Sequence, residues 1–247
     1  LEPFFSNGDA VWWAILSLPA IYGALTILPV AYIAREHINE KAAVIAAWLI
    51  AFMPAHVSHT TWALADHDAF IMLFITLGFM FWLRAVKYAG SERLLRSSSP
   101  TPLAFVAAFK AVAQERRAAF SAAVLAGVSF GIVSLGWKGF VVGPSIIFLA
   151  YAAQVALNMF RRRDSTTLNV LFLTMLAVNF LMALPFYGHP QIDLMFDGTG
   201  LQPFLFIIVF TVVISFVTTG FRDKPWLLVL GVLAGAGTVF FIVLWLL

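Results

Sequence analysis

Apolar runs long enough to cross a bilayer return along the whole of this chain, and nearly every cation sits in a short segment between two of them. A hydrocarbon core about 30 Å thick takes about 20 residues of helix, or a strand of about ten with strict alternation. The runs here are of the first kind, rich in Leu, Ile, Val, Phe and Ala with no period of two. Backbone groups cannot go unpaired in hydrocarbon, so the expected fold is all-α: a polytopic transmembrane helical bundle. Composition agrees, with 62% hydrophobic and 11% charged residues and a mean hydropathy of +0.95. A soluble domain of 247 residues closes a core with far fewer apolar side chains.

About eight spans are expected, at residues 11–33, 42–58, 67–86, 119–137, 140–160, 166–186, 203–219 and 225–247. The connections alternate in charge. Segments 34–41, 84–118, 161–165 and 220–224 hold every Lys and Arg except Lys138. The positive-inside rule makes that set cytoplasmic. Segments 59–66 and 187–202, the Trp137-Lys138-Gly139 turn and both ends of the chain then lie outside, as in a multi-pass protein of the plasma membrane. The net charge of +3 is therefore a topology signal and not the one-sided basic patch that nucleic acid needs. Without cysteine there is no disulfide frame and no thiolate metal site. The first residues have no basic n-region, and an apolar run is cut at Leu247, so the chain reads as an internal piece of a longer protein.

In the long cytoplasmic segment 87–118, Ser97-Ser98-Ser99-Pro100-Thr101-Pro102 is a turn and helix-start signature. Beyond it Phe105, Phe109 and Val112 recur at helical spacing against Lys110, Arg116 and Arg117. This is either a short amphipathic helix at the interface or an extension of the next span. There is no internal repeat and no inverted pair of broken helices, which speaks against a transporter.

Ionisable groups at membrane depth are costly and so invite a functional reading. Residues 56–68 carry three of the five histidines, together with Asp66 and Asp68, and no Lys or Arg. Two readings of Asp66-His67-Asp68 stand side by side. One is a helix cap with histidines as hydrogen-bonded interfacial groups. In the other, both carboxylates turn toward one point at a helix entrance, where the helix dipole helps keep them ionised. Paired anions there call for a divalent cation, and oxygen ligands suit Mg²⁺ or Mn²⁺ better than a structural zinc. Lys138, the lone outward cation, either meets a lipid phosphate or anchors its turn. His189, Asp193 and Asp197 belong to a solvated loop or to the border of a cleft, and Asp9 is expected to cap the first span. Asn158, Asn169 and Asn179 are expected to bond between helices, and Arg161-Arg162-Arg163 to anchor at lipid headgroups.

These features together resemble the catalytic subunit of oligosaccharyltransferase, the single-chain archaeal and bacterial type, among the C-type membrane glycosyltransferases. Residues 51–68 look like its second acidic motif: a helix ending at Met53-Pro54, then Ser58-His59-Thr60, then Asp66-His67-Asp68. Phe81-Trp82-Leu83-Arg84-Ala85 is similar to the tail of the following helix. Leu135-Gly136-Trp137-Lys138-Gly139 is similar to a later Trp-x-Gly turn. The resemblance implies that Asp66 and Asp68 are catalytic ligands of Mn²⁺ or Mg²⁺. That ion would serve a lipid-linked oligosaccharide donor whose sugar passes to asparagine of an acceptor polypeptide on the extracytoplasmic face. His67 holds the variable middle position as a neighbour of the substrate. His59 stands where the family often has an arginine that contacts the pyrophosphate and is expected with His67 and Lys138 to border the substrate, and Trp62 and Ala63 stand where small residues are usual. The family's first acidic motif, its external-loop glutamate and its Trp-Trp-Asp domain are not in these residues. The chain is thus expected to be part of a transmembrane catalytic domain with no turnover by itself. The alternatives are another polyprenyl-phosphate-dependent C-type glycosyltransferase and a non-enzymatic scaffold or transporter.

Overall fold

The computed structural model describes residues 7–62, 67–90, 102–187, 201–220 and 224–232, with positions 234, 235 and 238. Regular structure among them is helical throughout: α1 (Asn7–His37), α2 (Glu40–Phe52), α3 (Pro54–Thr60), α4 (Asp68–Tyr88), α5 (Pro102–Glu115), α6 (Arg117–Ser134), a 3₁₀ turn (Lys138–Val141), α7 (Val142–Phe160), α8 (Thr166–Tyr187) and α9 (Leu201–Gly220). Among the described residues six helices, α1, α4 and α6 to α9, are long and apolar enough to cross a membrane. They match six of the expected spans. Residues 226–232 are helical where an eighth begins, but most of that stretch lies outside the described residues.

The second expected span is not a single rod. α2 and α3 meet at an angle of 58°. Pro54 has no amide hydrogen and disfavours a helical residue before it. Met53 is accordingly extended, at φ −65° and ψ 119°. The prolines of α1, Pro19 and Pro29, leave that helix unbroken. Asp9 already lies inside the first turn of α1 and is not its cap. α5 and α6 are separate helices divided at Arg116 (φ −119°, ψ 45°), so the amphipathic segment does not simply extend the next span. The chain folds back there, and Phe109 meets Phe120 edge-on with ring centroids 5.4 Å apart.

Helix directions follow from pairs of contacts. Along α1 and α4, Tyr22 meets Phe70 and Glu36 meets Arg84, so these two helices run parallel. α4 and α6 run antiparallel, since Gly78 faces Phe130 and Gly90 faces Arg116. α6 and α8 run parallel and very close. A Cβ on Gly127 would stand 2.6 Å from the carbonyl oxygen of Met175, and one on Gly131 would meet Met182. Small residues are what allow two membrane helices to approach in this way. The described spans therefore alternate up and down, as the charge pattern requires.

The centre of the bundle is a continuous apolar cluster that includes Phe130, Phe140, Leu171, Phe172, Met175 and Phe204. Tyr151 and Phe172 stack with centroids 4.4 Å apart. Toward the basic end this core gives way to a buried polar knot. The Tyr151 hydroxyl donates to Asn169 Oδ1 at 2.9 Å and lies 3.2 Å from Ser215 Oγ. Asn169 Nδ2 donates to Thr218 Oγ1 at 3.0 Å and Thr219 Oγ1 at 3.1 Å. One side chain thus joins α7, α8 and α9. The other two asparagines behave differently. Asn158 bonds to Gln154 on its own helix and to Ser165 just beyond it, whereas Asn179 is fully buried with neither amide atom bonded among the described residues.

Candidate functional site

The elbow at Met53-Pro54 lays α3 against the middle of α1. Nε2 of the buried His56 lies 3.2 Å from the Gly23 carbonyl oxygen. Gly23 faces the side chain of Thr60 so closely that any Cβ there would clash. These two contacts, one helical turn apart, fix α3 on α1. His59 is in the last turn of α3 and is thereby carried to the start of α4. His67 is the N-cap of α4 and Asp68 its first residue.

The resulting geometry is compact. His59 Nδ1 lies 2.9 Å from Asp68 Oδ2, and the two side chains are 48% and 39% exposed. Asp68 is thus in direct polar contact with an imidazole. His67 Nε2 stands 3.9 Å from the other oxygen, Oδ1. Asp68 is thus a half-exposed carboxylate beside an imidazole at the positive end of a helix dipole. Asp66 lies outside the described residues. So do the loop residues His189, Asp193 and Asp197 and the Ser97–Thr101 stretch.

Lys138 opens the 3₁₀ turn after α6 and is exposed. Gly136, two residues earlier, faces the ring of Phe70 in the first turn of α4. The turn therefore stands at the same end of the bundle as Asp68. Among the described residues Asp68 pairs with histidines and not with Lys138. Trp13 and Trp62 touch with centroids 5.6 Å apart and flank this end. Half-exposed tryptophans of this kind mark the level at which hydrocarbon meets water.

The supporting role of His56 was not distinguishable in the sequence, where it is one of three histidines in a polar stretch. The spacing of His56 and Thr60, four apart on one helical face, is the signal that could have shown it. Among the described residues no three His, Asp or Glu side chains gather as a metal cage. The Asp68 carboxylate supplies oxygen donors of the kind a hard divalent ion takes. This donor set does not suit a closed zinc site.

The fold and this end of it define a class: a multi-pass helical membrane protein with an acid–imidazole pair at the membrane boundary. The chain belongs to the family described as oligosaccharyl transferase STT3, N-terminal, whose model matches residues 9–245. It is similar to dolichyl-phosphooligosaccharide-protein glycotransferase 3 of Archaeoglobus fulgidus, with 27% identity over 194 residues. That alignment covers 77% of this chain but 20% of the relative, so the chain spans about a fifth of that protein's length. No solved structure matches the chain significantly.

Proposed function

We propose that this chain supplies the membrane scaffold and one corner of the active site of an oligosaccharyltransferase. In that reaction the amide nitrogen of an acceptor asparagine forms a bond to the anomeric carbon of the sugar. The bond from that carbon to the lipid-borne phosphate breaks, and the amide loses a proton. The observation that carries the reading is the half-exposed Asp68 carboxylate, held by His59 at a helix start on the less basic end of the bundle. Membership of the family supports the reaction class.

In this reading Asp68, together with Asp66, holds Mn²⁺ or Mg²⁺. Such an ion, when bound, offsets negative charge on the leaving phosphate. The protein's own groups do the rest. His59 is a positioning residue: it holds Asp68 through one carboxylate oxygen and leaves the other for the ion. His67 borders the substrate. Trp13 and Trp62 place a wall of mixed polarity where the donor's sugar and phosphate leave its tail. Lys138 contributes a cation for lipid phosphate at the same end.

Two experiments test this. In the full-length protein Asp66→Ala should abolish metal-dependent transfer to an Asn-x-Thr peptide, and undiminished transfer would sink the metal role. An impermeant thiol reagent should reach a cysteine placed at the exposed Thr61 from outside the cell and one placed at Thr101 only from inside. The opposite pattern would overturn both the plasma-membrane topology and the extracytoplasmic site.

A further inference from the structure

An apolar groove of about 580 Å³ runs along the outside of the bundle between α5, α6, α8 and α9. Phe105 and Phe109 of α5 form one wall, Phe120 of α6 and Phe180 of α8 line it further in, and Val212 of α9 is on the far side. Its size falls in the usual range for ligand sites, about 300–1,000 Å³. Thr174 is its one hydroxyl-bearing lining residue, and that hydroxyl donates to Val170 O at 2.8 Å within its own helix. The groove thus offers a ligand dispersion and burial and no free hydrogen-bonding group.

The lining argues about the occupant. Helices that pack together in membranes use small residues to bring their backbones close, whereas this surface is built from bulky Phe and Leu side chains. Those shape a channel for a flexible chain. Charge marks one mouth. Arg117 lies on the same stripe of α6 as Phe120 and Val124, three and seven residues before them. It is exposed at the basic end of the bundle, and the exposed Lys110 follows Phe109 on α5.

We propose that this groove binds one hydrocarbon chain of an anionic membrane lipid, with the headgroup phosphate against Arg117. This lipid is not the glycan donor. The 18 residues of α6 rise about 27 Å, and they separate Arg117 from the end that carries Asp68. The occupant therefore belongs to the opposite leaflet, where it fills the notch that α5 leaves on α8 and α9. The inference stands on the groove alone and is independent of the transfer reaction.

The test uses the full-length protein, purified in mild detergent and offered equal phosphatidylglycerol and phosphatidylcholine with identical chains. Native mass spectrometry counts the lipids retained. One phosphatidylglycerol should be held with a preference of about fivefold, the factor that one basic side chain near an anionic headgroup supplies. Arg117→Gln should erase the preference. Ala177→Phe, which fills the groove from an exposed lining position, should hold one lipid fewer at unchanged helicity. Equal retention of both lipids by the wild type, or full retention by Ala177→Phe, overturns the proposal. A photo-reactive side chain at Ala177 gives a second reading: adducts with lipid support the proposal, and adducts with another segment or another polypeptide refute it.

Discussion

The two ends of this bundle handle polar groups in opposite ways. At the basic end several of them pair with one another. Glu36, with its side chain 11% exposed, lies 3.2 Å from Arg84 and 3.6 Å from Lys87, and Lys87 also donates to the Glu36 backbone carbonyl at 3.0 Å. Nearby, Asn169 and Tyr151 have their hydrogen-bonding capacity occupied by Ser215, Thr218 and Thr219. At the other end the span is broken, and Asp68 at the start of α4 stays 39% exposed with only histidines beside it among the described residues. Polar residues that satisfy each other hold helices together. Those left with unused capacity at the water boundary are available to a substrate.

This contrast gives a ranked set of expectations. Asp68→Ala in the full-length protein should lower transfer on the order of 10²- to 10³-fold, the scale for losing one preorganised charged group. Its unfolding midpoint should barely move. Peptide glycosylation and a thermal melt in detergent together check this, and a large melt shift with normal transfer would place Asp68 with the structural residues. His59→Ala should weaken Mn²⁺ affinity about 10- to 100-fold, the usual cost of removing a group that orients a ligand. Titrating the metal against rate reads that constant, and an unchanged half-saturation would show that His59 does not position Asp68. Asn169→Leu reverses the pattern. It should cost about 1–3 kcal/mol of stability by stranding the Tyr151 and threonine hydroxyls, while the transfer rate below the melt stays normal. Lys87→Met should matter least, under about 1 kcal/mol in the same melt, because its contact is half exposed.

Chain reading and structure agree where the signal is additive. An apolar run of twenty residues is a sum over many side chains, so the spans at α1, α4 and α6 to α9 were legible, as was the alternation of charge between them. The proline rule showed that a helix ends at Met53-Pro54, but not the direction of the next one. That depends on His56 and Thr60 finding Gly23, residues more than thirty positions away. Pairing of His59 with Asp68 follows from that docking and so could not be read locally. The three asparagines make the same point. Their type and depth predict interhelical bonding, yet only Asn169 has partners on two neighbouring helices, because those partners depend on how α7 and α9 sit around α8.

The elbow at Met53-Pro54 also sets the frame in which the site is held. α3 takes its position from α1, through the Gly23 carbonyl and the close Thr60 contact, and not from the helix that leads into it. α2 lies along α1 as well, but with no buried side chain of its own. Small changes in the length or tilt of α2 would be absorbed at the bend, and His59 would keep its register with Asp68. Tolerances in this region should therefore be tight along Gly23, His56 and Thr60 and loose along residues 41–52.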